Sequence, residues 1–374
     1  MLPATLLPLT LRRYCLCIAI ALAAIACASA QVPAAANTPP PAQIQKQTLA
    51  GIDKLQSSYT QSTGLYQSTG WWNSANALTM LADYSLVAHG VSYNTVFSNS
   101  FQQAQKTSSG FLNNYYDDEG WWALAWIAAY DLTHMHQYLD MASSIFTDMS
   151  GGWDTTCSGG IWWSKDKTYK NAIANELFLS VAAHLANRVA PSARSSYLAW
   201  ANKEWAWFQQ SGMINSQNLI NDGLDLSTCK NNGQNTWTYN QGVILGGLVE
   251  LNRAQRSPQL LATAQTIANA AITHLSDANG VLHDTCEPNC GADGVQFKGI
   301  FLRNLMALSF AVPSPQYGTF AVANAESIWN HSRDTSNAFG QVWSGPFDAE
   351  NAGSQSSALD AFVAAYASTL PYKY

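Results

Sequence analysis

Charged side chains are scarce: Asp, Glu, Lys and Arg make up 11% of the 374 residues, where soluble domains usually carry about a quarter. The balance is acidic, at −6. No Lys/Arg cluster could follow a phosphate backbone, so nucleic acid is not an expected partner. The Val/Ile/Thr alternation of half-buried strands is also scarce, which argues against a sheet protein. There is no G-x-S-x-G elbow, no H-E-x-x-H, no phosphate-cradling P-loop and no G-x-G-x-x-G turn, so serine, zinc and nucleotide chemistry have no sequence signal. Beyond the first 30 residues, no stretch approaches the ~20 apolar residues that a membrane span requires.

Residues 1–30 have the organisation of a removable secretion signal: basic Arg12 and Arg13, an apolar run from Cys15 to Cys27, and Ala28-Ser29-Ala30 before Gln31. A secreted protein is expected. Ala24-Ile25-Ala26-Cys27 offers a lipoprotein-type alternative, but it lacks the Leu usual in that signal. Without the signal arginines, 16 basic face 24 acidic residues, a net charge of −8. Residues 31–42 are Pro/Ala-rich and read as a flexible leader, and 43–374 as one domain. The segment from Ala358 to Tyr374 is interrupted by Asp360 and ends Tyr-Lys-Tyr, so no membrane anchor is expected there.

Fourteen Trp and sixteen Tyr are many for this length, and they suit a ligand with flat apolar faces and many hydroxyls, as a carbohydrate has. Outside the signal remain Cys157, Cys229, Cys286 and Cys290. Four thiols in an oxidising compartment suggest two disulfides, with Cys286–Cys290 closing a tight loop and Cys157–Cys229 the favoured pairing. His283 with Cys286 and Cys290 would make a zinc site with no evident fourth ligand. The loop oxygens of Asp222, Asp225, Asp277, Asn279 and Asp284 fit no EF-hand spacing. Neither metal nor cofactor is expected. Asn330-His331-Ser332 is the one glycosylation acceptor outside the signal.

Helical spacing of apolar residues runs almost throughout and predicts twelve helices, at about 43–57, 71–88, 92–107, 120–133, 136–149, 169–188, 191–211, 237–252, 256–275, 295–310, 316–332 and 354–368. The connections alternate. Short turns follow the even-numbered helices. Long segments rich in Gly, Trp, Asp, Asn and Cys precede each of them. With odd and even helices antiparallel, the long segments gather at one end of the molecule. The even helices are also the more uniformly apolar, as an inner layer must be. The expected fold is therefore all-α: an (α/α)6 barrel of six helical hairpins, with the site at the long-loop end.

With other chemistries unsupported, carboxylates lead, and Asp117 and Asp118 are the pair of choice. Glycoside hydrolysis needs one carboxylate at the anomeric carbon and one protonated carboxyl for the leaving oxygen. Adjacent like charges push one pKa upward, which allows both roles near neutral pH. The duller account is that Asp117, Asp118 and Glu119 favour the positive end of a helix starting near Gly120.

The run Tyr115-Tyr116-Asp117-Asp118-Glu119-Gly120-Trp121-Trp122 resembles the signature of glycoside hydrolase family 76, the α-1,6-mannanases. Further resemblances follow in order at Trp71 to Asn76, Gly151 to Asp154, Gly159 to Trp163, Lys170 to Glu176, Thr238 to Gly242 and Phe297 to Arg303. The resemblance implies an (α/α)6 barrel, retention of anomeric configuration, Asp117 as nucleophile and Asp118 as acid/base. It also implies α-1,6-mannan as substrate, cut internally.

Around the pair, Trp72, Trp153, Trp162, Trp163, Trp237 and Tyr239 are candidates to stack on sugar faces, with Asn76, Asp222, Asn240, Gln241 and Arg303 as hydroxyl partners. Each has an ordinary alternative: aromatics at helix starts are commonly core, Asn240 and Gln241 could serve as caps, and a buried Arg303 needs an anionic or polar partner in any case. A monomeric hydrolase is the leading expectation. Transfer of mannosides to a cell-wall acceptor, and mannan binding without catalysis, are the alternatives. Uronate lyases built on similar barrels need positive charge that this chain has little of.

Overall fold

The computed structural model describes residues 39–89 and 92–371; the expected signal and most of the expected leader lie outside them. Twelve long helices and one single-turn helix stand among the described residues: α1 (Pro41–Gln56), α2 (Trp71–Ala88), α3 (Asn94–Gln103), α4 (Tyr116–Thr133), α5 (His136–Ser150), α6 (Ala172–Ala186), α7 (Pro191–Gln210), α8 (Thr238–Gln255), α9 (Pro258–His274), the one-turn α10 (Gly291–Gly294), α11 (Phe297–Ala311), α12 (Pro315–His331) and α13 (Ala352–Ser368). Two antiparallel two-residue ladders, at 59–60 with 65–66 and 224–225 with 230–231, decorate the loops.

Packing closes a ring: α2 lies on α4, α4 on α6, α6 on α8, α8 on α11, α11 on α13, and α13 back on α2. The others pack outside it, α5 on α4, α7 on α6, α9 on α8, and both α1 and α12 on α13. This is the (α/α)6 barrel. Four outer helices, α1, α7, α9 and α12, start with Pro at the first turn, where the missing N–H costs nothing. The inner helices are largely buried, and two of them almost entirely. All of Ala352 to Ala367 in α13 is buried, and so is all of α6 except His184.

Closing the ring requires backbones to approach closely. A Cβ on Gly299 would lie 2.5 Å from the Cα and carbonyl oxygen of Ser357, and one on Gly242 would lie 2.6 Å from the Cα of Phe301. Some polar groups in the ring find partners, whereas the Glu176 carboxyl and the Asn240 side-chain amide are buried without a hydrogen bond from the described residues. Arg303, mid-way along α11, pairs with Asp360 at 3.5 Å and donates to Asn76, so it ties three inner helices together. At the end where the short turns lie, Arg188 bridges Asp131 (2.7 Å) and Glu250 (2.8 Å), joining the ends of α4, α6 and α8. His134 after α4 and Arg256 after α8 take the left-handed conformation that stops a helix and reverses the chain.

Buried side-chain amides pin the long loops to the helices. Asn175 accepts the Ile161 N–H (2.7 Å) and donates to its carbonyl (3.0 Å). Gln241 treats Ile220 the same way, at 2.8 and 2.9 Å. Gln355 accepts from Phe339 (2.7 Å), and Asn324 from Leu282 (2.9 Å). Two disulfides add to this, Cys157–Cys229 and Cys286–Cys290, the pairing expected from the sequence.

Several boundaries differ from expectation by a few residues, and two of them bear on the site and the leader. Helix α1 begins at Pro41, inside the expected leader, and α4 begins at Tyr116 rather than near Gly120. The first turn of α4 is acidic, so it carries no apolar periodicity. Its start is set instead by the neighbouring loop, where the Trp163 carbonyl accepts the Tyr116 N–H at 2.9 Å.

In Gly299→Ala, the ~1 kcal/mol gain in helix propensity is outweighed by forcing α11 from α13, since the obstructing atoms are backbone. A net loss of ~1–3 kcal/mol, a fall of about 2–8 °C in thermal midpoint for a domain of this size, is expected by calorimetry.

Candidate active site

The inner helices point their N-termini at the long-loop end. There a cleft of about 530 Å³ opens, lined by Trp72, Tyr115, Asp117, Asp118, Trp121, Trp163, Tyr169, Asn171, Asp222, Tyr239, Asp293 and Phe297. Five of the six long segments, or the helix turns that follow them, contribute. No lining residue is Lys, Arg or His, and four carry carboxylates.

Asp117 and Asp118 occupy the first turn of α4, after Tyr115 at the N-cap. The segment holding this turn is zipped to the loop before α6: Tyr115 bridges Ser164, the Lys165 N–H donates to the Asn114 carbonyl at 2.9 Å, and Asn114 donates to Asp166 at 2.7 Å. That loop also supplies the Trp163 indole, whose Nε1 donates to Asp117 Oδ2 at 2.9 Å. Oδ1 of Asp117 accepts the Asp118 backbone N–H at 3.0 Å. Asp118 is held from the other side, its Oδ2 accepting from Asn113 Nδ2 at 2.6 Å.

Burial pushes both carboxyls upward. Asp117 is held well above the usual carboxylate range, by desolvation first and by the neighbouring Asp118 charge second, with its two N–H donors pulling back. Asp118 is pushed up to about 6 by burial, against the pull of Asn113, and the Asp293 charge adds to the rise. Two such groups do not ionise together easily, and they titrate as a pair. The macrodipole of α4 favours a negative charge at its first turn. One charge and one proton is therefore the natural state near neutral pH.

Facing the pair, Asp222 accepts from the Tyr169 hydroxyl (2.5 Å) and from Trp237 Nε1 (3.1 Å). Asp293, just past the Cys286–Cys290 loop, accepts from Trp72 Nε1 at 2.9 Å. A run of near-parallel rings joins these elements: Trp72 on Trp121 (centroids 5.6 Å apart), Trp121 on Tyr239 (6.4 Å), and Tyr239 on Phe297 (3.8 Å). Flat apolar surface beside hydrogen-bonding carboxylates matches a sugar ring, whose C–H face stacks and whose hydroxyls donate.

Of the residues singled out in the sequence, Asp117, Asp118, Trp72, Trp163, Asp222 and Tyr239 line this cleft. Trp237 stands behind it, orienting Asp222 and packing edge-on against Phe297 at 5.7 Å. The others lie outside the lining. Trp153 packs against Trp200 and Trp207 under the Lys203 ammonium. Trp162 is buried, donating to Asp154 at 2.7 Å beneath Lys170. Gln241 is a loop anchor, while Asn76 and Arg303 bond each other inside the ring. Asn240 is fully buried in the first turn of α8.

The sequence reading missed Tyr115, Trp121, Tyr169, Asn171, Asp293 and Phe297 as lining residues. Trp121 had a signal, since it lies four residues after Asp117 and so on the same helix face. Asp293 had none. It belongs to a different loop, and only the closed ring brings that loop opposite α4.

The model of the family described as "Glycosyl hydrolase family 76" matches residues 42–373. A mannan endo-1,6-alpha-mannosidase of Candida albicans is 27% identical over 277 residues, 66% of this chain, and the match spans 60% of that relative's length. Among solved structures, the α-1,6-mannanase of Salegentibacter sp. HEL1_6 has been captured as an inactive variant, with two consecutive aspartates replaced, in complex with α-1,6-mannotetrose. It superposes with a TM-score of 0.77 at 21% identity, covering 86% of this chain and 98% of that one. A protein of Chaetomium thermophilum solved with glucosamine gives 0.78 at 19% identity, covering 88% and 92%. These two likenesses speak to the fold, whereas the family model follows the sequence itself across the whole barrel, and by that match the chain belongs to glycosyl hydrolase family 76.

Proposed function

We propose that this protein is a secreted, endo-acting α-1,6-mannanase that retains anomeric configuration. The observation that carries the proposal is the adjacent Asp117 and Asp118 at the cleft floor, each with its own separate hydrogen-bond donors, beside a run of stacked rings. The family match and the mannan-cleaving relative support the substrate, and the loss of activity in a relative lacking two consecutive aspartates supports the pair. Two disulfides among the site loops support an oxidising, extracellular setting.

In this reading Asp117 attacks the anomeric carbon as the C1–O6 bond breaks, and the Asp118 proton passes to the departing O6. Asp118, now charged, takes a proton from water, and that water attacks C1 and frees Asp117. The donors favour this division of roles. Both oxygens of Asp117 accept from N–H groups, which stabilises its charge and aims it. Asp118 has one oxygen held by Asn113, and its Oδ1 accepts no hydrogen bond from the described residues. Burial raises Asp117 more than its N–H donors lower it, so the order of the two roles follows the family resemblance, with the donors aiming Asp117 at the anomeric carbon. With no cation in its lining, the cleft suits neutral sugar rather than uronates or phosphates.

Incubation with linear α-1,6-mannan is expected to release oligosaccharides with retained configuration, followed by NMR of the early products. Asp117→Asn and Asp118→Asn, folded as judged by circular dichroism, should each lose ~10³-fold or more. Inert native protein would overturn the proposal. Products found only as conjugates to an added sugar acceptor would make it a transferase.

Because Asp118 must be protonated to act, and its carboxyl sits at about 6, kcat/KM should fall as pH rises through that region. An alkaline limb several units higher would assign the acid role elsewhere.

A further inference from the structure

Asp118 takes a single side-chain hydrogen bond, from Asn113, and the surroundings of Asn113 leave its amide one orientation. The Tyr115 backbone N–H, which can only donate, points at Asn113 Oδ1 at 2.7 Å. The NH2 group must therefore face Asp118 Oδ2, 2.6 Å away. The backbone of Asn113 is fixed in turn, its N–H donating to Glu119 Oε1 at 3.1 Å. Glu119 is fully buried, and the same oxygen accepts from Lys165 Nζ at 2.8 Å. Lys165 also meets Asp148 of α5 at 2.8 Å. A chain of contacts thus runs from Asp148 through Lys165, Glu119 and Asn113 to Asp118. Lys165 lies two residues after Trp163, the donor to Asp117, so one clamp holds the supports of both carboxyls.

We propose that Asn113 is a positioning residue for the acid/base carboxyl, fixing the rotamer of Asp118 through an amide that the Glu119–Lys165–Asp148 clamp locks in place. This rests on the reading of Asp118 as acid/base. An amide suits the task because it donates to a carboxyl in either protonation state without titrating itself. A Lys or Arg at the same point would hold Asp118 ionised and end its use as an acid. The Lys165 ammonium is turned toward Glu119 and Asp148 rather than Asp118, with burial pushing the Glu119 carboxyl up to about 8. The charged and titratable groups around Asp118 are Asp117 and Glu119 on its own helix, Asp293 across the cleft, and Lys165 with Asp148 behind Asn113.

The test compares native protein with Asn113→Ala, Asn113→Ser and Asn113→Asp on linear α-1,6-mannan across pH. Asn113→Ser removes the amide donor without placing a charge beside Asp118, so it stands in if the Ala variant fails to fold, and Asn113→Asp, which adds a like charge there, should raise the limb further. Removing the donor should lower kcat about 10–100-fold with a smaller change in KM. It should also move the alkaline limb upward by roughly one pH unit, because the charged form of Asp118 loses its hydrogen bond. An unmoved limb in a folded variant overturns the inference, and so does movement of the acidic limb, which would make Asp118 the group that must be charged. The Asp118 carboxyl is followed independently by carbon-13 NMR titration, which needs no turnover. Native protein that leaves mannan intact defeats the functional reading, whereas an Asp118 titration unchanged between native protein and variants defeats this one.

Discussion

Everything in this molecule follows from the closure of six helices into a ring. Each inner helix packs between two ring neighbours, and most have an outer helix behind them, so little of their surface is left for water and the amphipathic stripe of an ordinary surface helix fades. The approach is close enough that Gly242 and Gly299 have no room for a Cβ. Charge inside such a ring must be paired or neutralised: Arg303 meets Asp360 and Asn76, and burial holds the Glu176 carboxyl, unpartnered among the described residues, well above the usual carboxylate range. The low charged fraction of the chain is the compositional trace of this architecture.

Closure also decides where chemistry can occur. Antiparallel alternation sends every inner N-terminus to one end, with its unsatisfied N–H groups and its long preceding loop. Those loops are not free. Asn175 and Gln241 each grip one apolar residue of a loop by both its N–H and its carbonyl. The Cys157–Cys229 bond joins the loop that carries Trp163 to the one that carries Asp222. Irregular backbone is thereby made rigid enough to aim side chains.

The site itself is a balance between burial and donation. Burial raises Asp117 and Asp118 together, whereas N–H groups from Trp163, Asp118 and Asn113 favour charge at specific oxygens. Neither effect alone separates two carboxyls of the same kind, one residue apart. The separation comes from loops that approach α4 from different sides.

Much of this was legible in the sequence. Apolar periodicity located all twelve long helices, and the alternation of short and long connections implied both the ring and the end at which the site lies. The acidic pair stood out because little else in the chain could do chemistry. Helical spacing reports whether a residue faces its own helix's neighbours, and that property is local. Whether a Trp of a Trp-Trp pair lines the cleft or joins the core depends on which loop folds over it, and Trp72 and Trp162 look alike in sequence while only Trp72 lines the cleft. The same holds for Asp293, brought opposite Asp118 from more than 170 residues away by ring closure alone. The sequence by itself determined the helices, their order and the acidic pair proposed to react; the tertiary structure decided the cleft, because a concave surface is made of residues that no single element's periodicity relates.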